Sequence, residues 1–101
     1  MDNSCYKEAV MNNFIEEKNR IYMNDLKGQL IAEVTFPDID ANTVNLNHTF
    51  VDDSLRGQGI ASKLVEAAAL KMQKENKKII PTCSYAVHWF EKNKDFAFLL
   101  K

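Results

Sequence analysis

Two glycines one residue apart, Gly57 and Gly59, stand between Arg56 and the small pair Ala61 and Ser62, just ahead of a helix-forming run. The stretch reads Arg56-Gly57-Gln58-Gly59-Ile60-Ala61-Ser62. At a helix start four backbone N–H groups lack intrahelical partners, and the helix dipole adds about half a positive charge. Glycine lets the backbone approach an anion with no Cβ in the way. The chemistry this predicts is the holding of a phosphate or pyrophosphate. Neither common nucleotide motif fits: there is no GxxxxGK[ST], and Gly57-Gln58-Gly59 is followed by Ser62 where a dinucleotide fingerprint needs glycine. The alternative is a glycine-rich turn that opens an ordinary helix.

Three other residues could move protons or act as nucleophiles. They are His48, Cys83 and Tyr85. Histidine is the side-chain type that titrates near neutral pH. A free cysteine is either a reactive thiol or a small buried hydrophobe. The two cysteines, Cys5 and Cys83, are too few for a disulfide framework. With no CxxC, no Cys/His cluster and no HExxH, no metal site is expected.

The elements that must position these groups follow from periodicity. Asn13 to Glu17 predicts a weak strand, Lys18-Asn19 a turn, and Arg20 to Asn24 a second strand. Asp25-Leu26-Lys27-Gly28 reads as a turn with Gly28 at positive φ. Gln29 to Phe36 alternates cleanly, with Leu30, Ala32, Val34 and Phe36 on one face. Pro37 to Asn42 reads as a loop. Thr43 to Val51 alternates again and is expected to be a single strand. Its apolar face carries Val44, Leu46, His48 and Phe50, which predicts a core histidine, with a general base as the sharper alternative. Short connections make these strands sequential antiparallel neighbours.

The period then changes. From Gln58 to Glu75, Ile60, Ala61, Leu64, Val65, Ala68 and Met72 fall at helical spacing, and Asn76 is a left-handed stop. Lys78 to Pro81 predicts a strand parallel to the fourth, because a strand–helix–strand unit crosses over. Ser84 is expected to cap a second helix through about Asn93, with Ala86, Trp89 and Phe90 inside. The fold class is therefore mixed α/β: a largely antiparallel sheet with one parallel strand pair, a long helix and a short one. Residues 1–11 read as an N-terminal tail and 12–101 as one domain.

Composition agrees with that class. The chain has 101 residues, 46% hydrophobic and 27% charged, which suits one small globular domain. Net charge is -1, but the halves differ: residues 1–50 carry 4 basic and 8 acidic groups, and 51–101 carry 9 and 6. The second half is thus the better host for an anion. Only two arginines, Arg20 and Arg56, argue against nucleic acid as a partner. No apolar run approaches the roughly 18 residues that span a bilayer, so no membrane partner is expected. No signal peptide is visible at Met1-Asp2-Asn3-Ser4-Cys5, and the cytoplasm is the expected compartment.

The Arg56-to-Ala61 stretch resembles the [Q/R]xxGx[G/A] signature of the GNAT acetyltransferase superfamily. The similarity extends to a compact, single-domain branch through three blocks: His48-Thr49-x-Val51, Leu55 to Ser62, and Ile79-Ile80-Pro81-x-Cys83-Ser84-Tyr85. It covers about residues 12–98. The resemblance implies acetyl-CoA (coenzyme A) as the bound cosubstrate, and transfer of its acetyl group to an amine by direct attack. The fourth and fifth strands would splay apart to admit the thioester. Phe50 and Val51 would offer main-chain hydrogen bonds to the pantetheine arm. Arg56, Gly57, Gln58, Gly59, Ile60 and Ala61 would wrap the pyrophosphate, with Ser62 beside it.

The resemblance also exposes a departure. Phe90 stands where the wider superfamily carries a tyrosine near the CoA sulfur, and a phenyl ring donates no proton. Tyr85 either replaces that acid or only packs its helix. Cys83 would lie close to the arriving acyl group. The expected partners are acetyl-CoA and an amine, small molecule or protein, with the chain a monomer. The alternative function is a CoA-binding protein whose chemistry is weak or silent.

Overall fold

The computed structural model describes residues 14–101. The expected tail and the start of the first strand lie outside these residues. Seven strands and two α-helices follow: β1 (Ile15–Glu17), β2 (Arg20–Asn24), β3 (Leu30–Thr35), β4 (Asp38–Asp40), β5 (Thr43–Leu46), β6 (His48–Val51), α1 (Ile60–Glu75), β7 (Lys78–Pro81) and α2 (Ser84–Lys92). Short 3-10 turns cover Asp53–Leu55 and Lys94–Leu99.

The strands form two sheets. One runs β1-β2-β3-β6, antiparallel throughout. The other runs β4-β5-β7, in which β5 and β7 are the expected parallel pair. The turn before β3 has Gly28 at φ 83°, and α1 stops at Asn76 with φ 62°, both as residue type predicts.

Three expectations need correction. The stretch from Pro37 is not all loop: Asp38 pairs with Val44, and the Pro37 carbonyl accepts from Asn45 N–H at 2.8 Å, a bond that needs no proline N–H. The cap of α2 is Cys83, whose Sγ accepts from Ala86 N–H at 3.4 Å. Ser84 is the first helical residue.

The third correction matters most. Thr43 to Val51 is two strands, broken at Asn47. His48 pairs with Thr35, yet Asn47 N–H also donates to the Thr35 carbonyl at 3.3 Å. Two residues thus oppose one, the arrangement of a β-bulge, which shifts the alternation by one position. Val44 and Leu46 are fully buried, while His48 and Phe50 turn outward. His48 is not a core histidine. Thr49 and Val51 take the inward side instead.

The core lies between the sheets and the helices. Ile21, Met23, Ala32 and Val34 meet Ile60, Leu64, Val65, Ala68 and Met72 of α1. Each large aliphatic side chain buried this way stabilises by about 1.5–3 kcal/mol. Trp89 and Phe90 of α2 and Leu99 close the other end.

Candidate active site

The sequence between β6 and α1 folds into an open cradle. Asp52 starts it: its carboxylate accepts from the Ser54 N–H at 3.0 Å and the Ser54 hydroxyl at 2.6 Å. These bonds hold its pKa below the usual carboxylate value. Asp53 and Arg56 pair at 3.0 Å, both well exposed. Gly57 then takes φ 80° and Gly59 φ 71°, the left-handed region that favours glycine. Gly59 is the N-cap of α1, and no side chain caps that end. The amides of Ile60, Ala61 and Ser62 therefore lack helical acceptors. A Cβ built on Gly57 or Gly59 would meet nothing within 4 Å, so the cradle opens outward.

The edge of β6 leads into this cradle. β6 is the end strand of its sheet. Asp52 N–H donates to the Ile31 carbonyl at 2.8 Å. With the register given, the hydrogen-bonded pairs are then Asp52–Ile31, Phe50–Glu33 and His48–Thr35. The main-chain groups of Thr49 and Val51 face the open edge. Those of Phe50 face β3, so Phe50 offers the edge no main-chain bond, contrary to expectation.

β5 and β7 end together, and β6 continues the chain in the other sheet. The parallel ladder finishes at Leu46–Pro81, and Leu46 O accepts from Thr82 N–H at 3.0 Å. Beyond it, Thr49 Oγ1 and Cys83 Sγ stand 3.5 Å apart, in hydrogen-bond contact. Cys83 is half-buried and free. Its thiol is thus placed by the α2 cap on one side and by Thr49 on the other.

Tyr85 of α2 and Ser62 of α1 are neighbours. Partial burial pushes the Tyr85 hydroxyl pKa up, and the neighbouring Ser62 hydroxyl opposes this. Ser62 Oγ accepts from Trp89 Nε1–H at 2.9 Å. Phe90 is buried and edge-on to Trp89, with ring centroids 5.1 Å apart.

His48 sits apart from this group, on the sheet face away from α1. Its Nε2 is 3.5 Å from Glu33 Oε1, and Arg20 bonds the other Glu33 oxygen. Arg56 to Ser62 form the cradle after Val51, with Tyr85 beside Ser62 and Cys83 beside Thr49. His48 opens on the opposite face, at the start of β6 and away from the cradle. Thr49 and Glu33 were not among the expected site residues, and Trp89 was expected only to pack in the core or beside the adenine. Thr49 could have been flagged by its place between His48 and Val51; Glu33 and Trp89 act through neighbours distant in sequence. Among the described residues no group of three or more His, Cys, Asp or Glu could hold a metal.

Comparison with known proteins bears on this arrangement. The family model described as GCN5-related N-acetyl-transferase matches residues 20–99. A GCN5-like protein from Staphylococcus aureus is 34% identical, with TM-score 0.73, over 87% of this chain and 86% of its own. A GNAT-family N-acetyltransferase from Escherichia coli, solved with CoA, is 21% identical with TM-score 0.54. That match covers 77% of this chain and 46% of the other. A GNAT-family acetyltransferase from Elizabethkingia anophelis, solved with acetyl-CoA, is 12% identical with TM-score 0.56, over 94% and 60% of the two chains. The last two show the shared fold alone. No curated protein sequence matches. The match over residues 20–99, with the 34% identical relative, establishes that this chain belongs to the GCN5-related N-acetyltransferase family.

Proposed function

We propose that the chain binds acetyl-CoA and transfers its acetyl group to a primary amine. The observation that carries this is the uncapped start of α1, approached by Gly57 and Gly59 at positive φ and continuous with the free edge of β6. An anion and an extended amide chain are what such a surface recognises. The amides from Gly57 to Ser62 hold the pyrophosphate. The Thr49 and Val51 main chain aligns the pantetheine arm. The CoA and acetyl-CoA in the structural relatives accord with this reading.

Acetyl-CoA supplies an activated thioester carbonyl. The chain's own residues handle the protons. His48, with Glu33 at its Nε2, takes the proton of an amine that approaches from the sheet face opposite the cradle. Tyr85, a phenol that carries its proton at neutral pH as tyrosines ordinarily do, returns a proton to the departing thiolate. The alternative, direct participation of the Cys83 thiol, forms an acetyl–sulfur bond on the enzyme as the CoA–acetyl bond breaks. The amine then displaces Cys83. A CoA-binding protein with weak chemistry is the second reading, favoured by Phe90 in place of the family's tyrosine. The reading extends to a monomer working in the cytoplasm, where acetyl-CoA is at hand. The acceptor is a small molecule or a protein. Among the described residues no helix is long and apolar enough to cross a membrane.

The test is release of CoA thiol from acetyl-CoA in the presence of a panel of primary amines. Amine-dependent release is expected, and Tyr85→Phe should lower it about 10²–10⁴-fold, the usual contribution of a general acid, at unchanged CoA affinity. Tight CoA binding with no amine-dependent release would leave the binding-protein reading standing.

A further inference from the structure

Among the described residues, the indole of Trp89 is the one buried aromatic donor bonded to the first turn of α1. It is only 4% exposed, yet its Nε1–H leaves the core to meet Ser62 Oγ at 2.9 Å. Phe90, edge-on at 5.1 Å, and Phe96, at 5.3 Å, hold the ring in place. The bond joins α2 to the third residue of α1 across 27 positions of sequence.

A serine hydroxyl has one proton and two lone pairs. Indole Nε1–H only donates, so it occupies a lone pair and leaves the Ser62 proton to be donated elsewhere. Tyr85 oxygen is the neighbour at hand. A phosphate oxygen is the stronger acceptor, because charge-assisted hydrogen bonds are about twice as strong as neutral ones. Ser62 also carries one of the free first-turn amides. Its N–H and its O–H can thus serve the same anion.

We propose that Trp89 is a positioning residue for CoA: its Nε1–H fixes the Ser62 hydroxyl so that the serine proton is given to the pyrophosphate. This rests on the reading of the cradle as the pyrophosphate site. It adds a link between cofactor occupancy and α2, the helix that Cys83 caps and that carries Tyr85.

Calorimetric titration of the full chain with CoA tests it through a double-mutant cycle. Ser62→Ala should weaken binding about tenfold or more, as for loss of a charged hydrogen bond. Trp89→Phe, which keeps a ring but loses the N–H, should weaken it about threefold to tenfold. The double variant should bind no more weakly than Ser62→Ala alone, and Ser62→Thr should restore the dependence on Trp89. A purely structural role would make the two losses additive, and additivity would overturn the proposal. Because Trp89→Phe could unfold, a second measurement uses Trp89 as the chain's single tryptophan. Its emission should respond to CoA in the wild type and not in Ser62→Ala. An equal response in both would also overturn the proposal. A wild type that takes up no CoA would instead overturn the reading of the cradle itself.

Discussion

Gly59→Glu abolishes the rise in melting temperature that CoA gives the wild-type protein. Ligand at 100 times its dissociation constant stabilises by about 2.7 kcal/mol. For a domain of this size that is a shift of several degrees or more. Gly59 has φ 71°, and its absent Cβ faces open space at the start of α1. A glutamate there puts bulk and negative charge where the pyrophosphate is held. It also carries backbone strain, of order 1–3 kcal/mol, that any non-glycine residue meets in this conformation. Gly28→Glu separates the two effects, since Gly28 has φ 83° and equally open space but lies on the β2–β3 turn. Gly28→Glu should lower the ligand-free melting temperature and keep the CoA-induced rise. Gly59→Glu should lose both. A CoA-induced rise of wild-type size in Gly59→Glu would exclude the cradle as the binding place.

Cys83→Ser keeps CoA affinity and loses acetyl transfer if the thiol takes part. The structure makes serine the informative choice. Cys83 caps α2 through Sγ, and a serine hydroxyl is among the best caps. Cys83→Ala removes this weak sulfur cap and should cost up to about 1 kcal/mol of stability. Comparing the two variants therefore separates capping from chemistry. Equal loss of turnover in both, with stability lost only in alanine, assigns the loss to the missing thiol. Mass spectrometry after incubation with acetyl-CoA should then find one acetyl group on Cys83 in the wild type. Wild-type turnover in Cys83→Ser, with no acetylated peptide, would leave direct attack as the mechanism and Cys83 as a cap.

The elements that build the cradle were legible because local rules decide them. The α1 stripe from Ile60 to Met72, the glycines ahead of it and the Asn76 stop are all set within a few residues. The parallel β7 followed from the crossover rule. The break at Asn47 was not legible. Val44, Leu46, His48 and Phe50 keep a perfect alternation in sequence, and the extra residue shows only against its partner Thr35 on β3. One inserted residue reverses which side chains face the core. It also fixes which main-chain groups of β6 reach the free edge, and so replaces Phe50 by Thr49 beside Val51. The Cys83 cap was obscured by Ser84, the more usual capping type. The Trp89–Ser62 bond joins two helices whose approach no local pattern encodes.

The most direct test of the account follows each backbone amide by two-dimensional NMR as CoA is added to the labelled chain. The account predicts the largest shifts at the amides of Gly57 to Ser62, with a second set at Thr49 and Val51. Phe50, whose N–H is bonded to β3, should move less than either neighbour. Shifts centred elsewhere, as on Leu70 and Lys71 of the outer α1 groove, or no shifts at all, would contradict it.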